Sequence, residues 1–282
     1  MHPEEFGIEQ AQISGKYLPA KYFQVQQARR GIQSLVTVLG SGKILYAGTG
    51  IGVYRSRDGG KTWLQINQGL FDQDIRALAI DPKEPNTVYA GTSRGVFKSE
   101  DAGDTWSDWF DETSGLTHTK IYDIALHPGN PQILFAATDG GIFQSVDAGE
   151  SWEPVFTEQA IQIIKFSASN SDILYASGET GTIRSKNSGR DWSPVWGNAL
   201  PAITTLVSLN TDPEFLYSGT QTGLYKSFNG GRNWVPDPAF KKTSINAIFV
   251  NPSNLSQIYI GSGAKIYSSD DGGDSWKHLS FF

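Results

Sequence analysis

The sequence predicts an all-β repeat protein, and three observations support this prediction. An eight-residue motif, Ser-x-Asp/Asn-x-Gly-x-x-Trp, occurs six times, and its tryptophans are spaced by 43, 46, 40, 42 and 42 residues. A constant period of this size indicates a repeat architecture. The chain contains 31 glycines and 12% aromatic residues, which suits short strands and tight turns better than helices. Each period also contains four short segments with the residue preferences of β-strands.

We call the eight-residue motif the box and number its positions one to eight. Its serine and aspartate are expected to bond backbone groups across a tight turn. Gly60 and its equivalents are expected to adopt positive φ, and the tryptophan to pack between sheets. Two copies carry asparagine, which lacks the charge of a catalytic or metal-bound carboxylate, so a structural role is favoured. Positions three and eight of the six copies are Asp58 and Trp63, Asp101 and Trp106, Asp147 and Trp152, Asn187 and Trp192, Asn229 and Trp234, and Asp271 and Trp276.

The second repeat shows most clearly how the strands are arranged. Residues 74–81 form an apolar-rich segment that ends at Pro82, which cannot donate to a β-ladder. Segments 87–91, 95–99 and 105–109 follow, and the box makes the turn before the last. Four antiparallel strands per repeat is the size of one propeller blade. We therefore predict a six-bladed β-propeller in one domain, 32–282, with blades at about 32–66, 74–110, 120–156, 160–196, 202–236 and 244–282.

The first strand of each repeat and the N-terminal arm carry further expectations. Segments 35–38, 161–164 and 245–250 are the most continuously apolar, and we expect them to be buried on both faces. Residues 1–31 lie outside the repeat, although 22–26 alternates well enough for one strand. The arm is expected to pack along the propeller rim; a docking role for its cations, or a contribution to a seventh blade, is the alternative.

The box resembles the Asp-box, also called the bacterial neuraminidase repeat. Tyr-Ala-Gly-Thr at 89–92 and Gly-Val-Phe-Lys-Ser at 95–99 strengthen the resemblance, which covers about residues 32–282. Such repeats occur in sialidases, xyloglucan-active glycoside hydrolases, the sortilin ectodomain and photosystem II stability/assembly factors. Similarity to the last group implies a non-catalytic scaffold that holds protein partners, including those of membrane-associated complexes, in an extracytoplasmic compartment. Six repeats are evident here, whereas the assembly factors have seven blades.

Composition excludes several classes of function. The net charge of −6 disfavours nucleic acid as a partner, and the absence of cysteine excludes disulfides and thiolate metal sites. The four histidines lack metal-ligand spacing, so neither a metal nor a cofactor is expected. No apolar run approaches the ~20 residues that span a bilayer. The first residues do not resemble a signal peptide, so we expect that a leader is either lacking or already removed.

Candidate partner-binding residues follow from turn position. In a propeller blade, the turns between the second and third strands and the links between blades share the face opposite the box turns. Ligand sites usually lie on that face. It should carry Phe71, Asp72, Arg94, Asp111, Glu112, His118, Asp139, Glu179, Gln221, Phe240, Lys241 and Lys242.

A catalytic alternative is a glycoside hydrolase. Hydrolysis needs two carboxyl groups about 5–9.5 Å apart across a sugar cleft, and Asp139 and Glu179 occupy comparable turns of neighbouring repeats. The sialidase Arg-Ile-Pro motif is absent, and the nearly constant period leaves no long insertion for cleft walls. A non-catalytic protein-binding scaffold is therefore favoured. A carbohydrate-active protein, either a hydrolase or a glycan-binding module, remains the alternative.

A cation precedes the box serine in four repeats, at Arg55, Lys98, Arg184 and Lys226, whereas Gln144 and Ser268 interrupt the series. The series predicts either a basic ring that docks an acidic partner or individual ion pairs with nearby carboxylates. We favour the ion pairs.

Overall fold

The structure is a computed structural model. It describes residues 18–19, 32–38, 43–108, 114–195, 200, 203–208, 214–251, 254–263 and 265–279. These residues form six sheets with antiparallel strand pairing, and the prediction of a six-bladed β-propeller is confirmed. The chain divides into two compact units, Met1–Pro154 and Val155–Phe282. Blades one to three belong to the first unit, apart from the end of the last strand of blade three, and blades four to six belong to the second.

Every blade follows the same order, in which consecutive strands are hydrogen-bonded neighbours. The strands of the first three blades, preceded by β1 (Leu18–Pro19), are β2 (Ile32–Thr37), β3 (Leu45–Thr49), β4 (Gly52–Ser56), β5 (Thr62–Gln65), β6 (Ala77–Ile80), β7 (Val88–Thr92), β8 (Gly95–Ser99), β9 (Ser107–Asp108), β10 (Ile121–Leu126), β11 (Leu134–Thr138), β12 (Gly141–Ser145) and β13 (Glu153–Phe156). Those of the last three blades are β14 (Ile161–Phe166), β15 (Leu174–Gly178), β16 (Gly181–Ser185), β17 (Ser193–Pro194), β18 (Ile203–Ser208), β19 (Leu216–Thr220), β20 (Leu224–Ser227), β21 (Val235–Pro236), β22 (Ala247–Val250), β23 (Ile258–Ser262), β24 (Lys265–Ser269) and β25 (Lys277–Leu279).

The second and third strands of each blade form most of the core. In β7 and β8 all ten residues are buried, because neighbouring blades cover both faces of these strands. Two adjacent small residues in β7, Ala90 and Gly91, let the next blade approach closely. A Cβ atom on Gly91 would lie 2.6 Å from the Cγ2 atom of Ile121, which begins the first strand of blade three. Packing between blades therefore depends on a small residue at this position.

The expectation that the first strands are buried on both faces is wrong for two of them. In β2 the side chain of Leu35 is 57% exposed and that of Ile32 is 46% exposed, and in β22 that of Phe249 is 53% exposed. Successive side chains of a strand point to opposite faces, so Val36 packs against the core while its neighbour Leu35 is exposed. In β22 Ile248 likewise packs into the core and Phe249 is exposed.

The described part of the N-terminal arm extends blade one. Strand β1 pairs antiparallel with β5, with Leu18 opposite Trp63, so blade one has a fifth strand at its outer edge. The segment 22–26, predicted as a strand, lies outside the described residues. Within the described residues the helical element is a 3-10 turn at Pro238–Phe240, capped by Asp237. None of the described helical structure is long and apolar enough to cross a membrane.

Candidate functional site

The box closes the turn between the third and fourth strands through its own side chains. In box one the Ser56 hydroxyl accepts from the Gly60 N–H at 2.8 Å and donates to the Asp58 carboxylate at 2.8 Å. That carboxylate also accepts from the N–H and the hydroxyl of Thr62 at 2.9 and 2.6 Å. The same bonds recur around Asp101, Asp147 and Asp271. These carboxylates are therefore engaged inside their turns.

The two boxes with asparagine keep the turn by different means. The Asn187 side-chain oxygen accepts from the Ser185 hydroxyl and from the Asp191 N–H, at 3.0 and 2.9 Å. Its amide nitrogen donates to the Asp191 carboxylate at 2.7 Å. In box four the carboxylate is therefore at position seven, whereas in box one it is at position three. In box five the Asn229 oxygen accepts from the Asn233 N–H at 2.8 Å.

Replacing Asn187 with aspartate is expected to lower the free energy of unfolding by about 1 kcal/mol, because two carboxylates would then face each other. The double variant N187D/D191T rebuilds the arrangement of box one and should recover most of this loss. Urea unfolding of the four proteins in this double-mutant cycle measures the coupling. Additive effects of the two substitutions would show that the residues at positions three and seven are not coupled, which would contradict this explanation.

The same hydrogen bonds set the acidity of the box carboxylates. The hydroxyl and N–H of Thr62 hold the pKa of Asp58 at about 2. The serine hydroxyls of box six likewise lower the pKa of Asp271. Burial opposes the shift at Asp101 and Asp147, but hydrogen bonds from position seven still bring the pKa of each below its usual value.

The free energy of unfolding should therefore fall as the pH drops from about 4 to about 2. A carboxylate whose folded-state pKa is depressed stabilises the protein above the unfolded-state pKa. That stabilisation is lost as the pH falls through the folded-state value. Denaturant unfolding at several pH values should show a smaller loss in D58N/D271N than in the parent. An unchanged slope would show that these two groups do not contribute to acid unfolding.

Boxes two, three and six are also bound by the preceding blade. Position four of the box is left-handed in all six copies, as at Ala102, where φ is 61°. The Ala102 carbonyl accepts from the Tyr46 hydroxyl at 3.0 Å and from the Arg55 guanidinium at 2.6 Å. The Tyr89 hydroxyl reaches the corresponding carbonyl of box three at 3.1 Å. Burial raises the pKa of both tyrosines, so their hydroxyls remain protonated donors.

The four cations that precede the box serine are buried or nearly buried, so they do not form an exposed basic ring. Each side chain is at most 16% exposed and lies within 3.3 Å of a carboxylate. Three of them also lie about 6 Å above a tyrosine ring of the same blade. The pairs are Arg55 with Asp104, Lys98 with Glu100, Arg184 with Glu214, and Lys226 with Asp237.

The side of the blades opposite the boxes, which we call the linker side, carries most of the predicted partner-binding residues. Hydrogen bonds connect its turns to the links between blades. The hydroxyl of Ser93, in a turn, donates to Asp72, in a link, at 2.5 Å, and the N–H of Lys242, in a link, donates to the carbonyl of Thr222, in a turn, at 2.9 Å. Phe240 was predicted there wrongly. It is 1% exposed, because the 3-10 turn directs its ring against Tyr267. The exposed candidates are Phe71, Arg94, His118, Asp139, Glu179, Gln221, Lys241 and Lys242. Asp111 and Glu112 lie outside the described residues.

The structure brings some of these candidates together. The Asp72–Ser93 bond joins the loop that carries Phe71 to the turn that carries Arg94. The ring of His118 lies directly over Gly140, beside Asp139. Lys241 and Lys242 adjoin the turn that carries Gln221. Asp139 belongs to the first unit and Glu179 to the second.

Two grooves on the box side were missed by the sequence analysis. The groove between blades four and five has a volume of about 590 Å³ and is lined by Arg184, Lys186, Asn187, Asp191, Ser193, Pro194, Val195 and Arg232. The other, between blades one and two, has about 520 Å³ and is lined by residues that include Lys43, Arg55 and Arg57. The sequence feature that could have indicated these grooves is a cation at position two or six of a box, as at Arg57, Lys186 and Arg232. In the described part of the chain, no three or more histidine or acidic side chains are grouped to hold a metal.

Comparison with solved structures shows the fold. No protein-family model and no curated protein matches the chain. The GH74 enzyme of Niastella koreensis is similar with a TM-score of 0.73 and 20% identity, over 88% of this chain and 45% of that one. The GH74 xyloglucanase of Xanthomonas campestris gives 0.70 and 21%, over 89% and 45%. YCF48 bound to a D1 peptide gives 0.65 and 18%, over 88% and 81%. The chain thus spans less than half the length of either glycoside hydrolase.

Proposed function

We propose that this protein is a non-catalytic scaffold that binds protein partners during assembly or stabilisation of a larger complex. The observation that carries the proposal is the linker side, where exposed side chains lie on turns and links that are hydrogen-bonded to one another. A preorganised surface loses little conformational entropy on binding. Phe71 is 56% exposed and Arg94 is exposed on the adjoining turn. An exposed aromatic ring and an arginine on adjoining loops are residue types that often contribute most of the binding energy at interfaces.

The similarity to YCF48 supports the same proposal. That protein is described as bound to a D1 peptide, so a propeller of similar fold accommodates a segment of another protein. At 18% identity the similarity extends to the fold, and the partner of this chain is a separate question. The short turns of the six blades suit a binding surface of this kind.

The test uses the tagged full chain in extract of its source organism. We expect a stoichiometric complex with another protein, resolved by size-exclusion chromatography with light scattering. The double variant F71A/R94A should weaken this complex at least tenfold, since truncation of a hot-spot residue costs at least about 2 kcal/mol. V146A is the matched control, because Val146 is an exposed apolar residue (64%) on the box side. Failure of the parent to retain a protein partner would contradict the proposal, as would an equal loss in V146A.

A carbohydrate-active protein is the second candidate. It is favoured by the fold shared with GH74 enzymes and by an exposed aromatic pair. Phe228 is 63% exposed and stacks on Phe215 with ring centroids 4.7 Å apart, which provides a flat surface for a sugar ring. Under our proposal the protein should not hydrolyse xyloglucan or other β-glucans. Turnover that disappears in D139A or E179A would replace the scaffold with a hydrolase, and glycan binding lost in F228A would indicate a lectin-like module.

A further inference from the structure

The groove between blades four and five combines cations with limited neutralising charge. It lies on the box side of the second unit, and β17 with Val195 forms one of its walls. Its volume of about 590 Å³ is within the range of about 300–1,000 Å³ typical of ligand sites. We infer that this groove binds an acidic segment of a protein partner, which rests on the proposed function and assigns it a second surface.

Two of the lining cations have no charged or hydrogen-bonding partner among the residues that the structure describes. Among the described residues, neither the Lys186 ammonium nor the Arg232 guanidinium forms a hydrogen bond or an ion pair, and both side chains are exposed. The third cation, Arg184, is bound to Glu214 at 2.7 Å. The lining carboxylate, Asp191, accepts from the Asn187 amide at 2.7 Å. The groove therefore presents net positive charge in a chain whose net charge is −6.

Position six of the following box distinguishes this groove from the one between blades one and two. Box four also carries an arginine at this position, Arg190, but the residue before the box serine of blade three is the uncharged Gln144. Between blades one and two that position is Asp104, which pairs with Arg55 at 2.8 Å and neutralises it. The equivalent residues in boxes three and six are Glu150 and Asp274. In box five it is Arg232, which lines the groove together with Arg184 and Lys186. The carboxylate of Asp104 thus neutralises the cation of the preceding blade, whereas Arg232 adds a positive charge beside Arg184.

Charge complementarity identifies the occupant. Ammonium and guanidinium groups bind carboxylates through charge-assisted hydrogen bonds, and a guanidinium can engage both oxygens of one carboxylate. A segment with several glutamates or aspartates satisfies Lys186 and Arg232 together. A nucleic acid is the less suitable polyanion, because the chain as a whole is acidic and would repel an extended phosphate backbone.

The experiment measures binding of a fluorescein-labelled octaglutamate peptide to the full chain by fluorescence anisotropy, with an octaglutamine peptide as the neutral comparison. We expect octaglutamate to bind and octaglutamine to bind at least tenfold more weakly. The variant K186E/R232E should weaken octaglutamate binding at least tenfold. Raising the salt from 50 to 300 mM should weaken binding to the parent, because partly exposed ion pairs are screened.

The control variant is R57E, which reverses a cation lining the groove between blades one and two. It should change octaglutamate binding less than twofold, and thermal melting should show that both variants fold. Three results would overturn the inference: an equal loss in R57E, competition by inorganic phosphate as effective as that by unlabelled octaglutamate, or tighter binding of a single-stranded RNA. If K186E/R232E loses the peptide but retains the partner captured from extract, both proposals stand, with separate surfaces. If the parent binds no octaglutamate but captures a partner, only the groove assignment fails.

Discussion

Replacing Asp237 with alanine is expected to lower the free energy of unfolding by about 3–5 kcal/mol. The Asp237 carboxylate is buried and accepts from the indole N–H of Trp276 at 3.1 Å and from the Ala239 N–H at 3.0 Å. It also lies 3.3 Å from the Lys226 ammonium. Removing it leaves the Lys226 ammonium poorly solvated, with the Gly273 carbonyl as a neutral acceptor, and leaves the indole N–H without its acceptor. Urea unfolding of the variant, followed by tryptophan fluorescence, measures the loss.

A second substitution separates the charge from the packing. The side chain of Lys226 is only 16% exposed, so its charge lowers the stability of the folded state once Asp237 is removed. Removing the cation as well, in D237A/K226M, should recover a substantial part of the lost free energy. A double variant that is less stable by the sum of the two single effects would show that the ion pair contributes nothing beyond its separate contacts.

Replacing Gly69 with alanine is expected to cost about 3 kcal/mol. Gly69 lies in the link between blades one and two, with φ of 92°, where an L-residue is strained by about 1–2 kcal/mol. A Cβ atom there would also lie 2.0 Å from the Trp106 carbonyl oxygen, so the backbone must move. The thermal unfolding midpoint of the variant should fall by several degrees.

Gly272 provides the matched control for this prediction. It has φ of 73°, but a Cβ atom there would meet nothing within 4 Å. The equivalent box position already carries Ala102 and Ala148 in other blades. G272A should therefore incur only the conformational cost, about 1 kcal/mol. Equal destabilisation of the two variants would show that the close approach to Trp106 is not the cause.

The sequence predicted the fold well because the repeated box marks every blade. Six tryptophans at a nearly constant spacing define both the strand count and the turn that precedes the last strand. The exposure of Leu35 and Phe249 was not predictable in this way. The sequence pattern of an apolar strand does not show whether one or both of its faces are buried, because burial depends on tertiary packing.

The candidate sites were harder to predict because side-chain direction decides them. Turn position placed Phe71 and Arg94 on the linker side and indicated that they are exposed. The same reasoning failed for Phe240, because a 3-10 turn rotates its ring into the core. Lys186 and Arg232 come from different repeats, and only the packing of blade five against blade four places them at one groove.

The tyrosine and arginine that bind the next box make the order of the blades matter during synthesis. Both donors, Tyr46 and Arg55, belong to blade one, whereas their acceptor, the Ala102 carbonyl, belongs to blade two. The ribosome adds about 5–20 residues per second, so the acceptor follows Tyr46 by about 3–11 s over the intervening 56 residues. Until then both donors of the nascent blade must remain hydrated. The first blade of such a pair therefore gains the acceptor for its tyrosine and arginine only when the next blade is made. In a chain that ended between the two boxes, these donors would lack that acceptor.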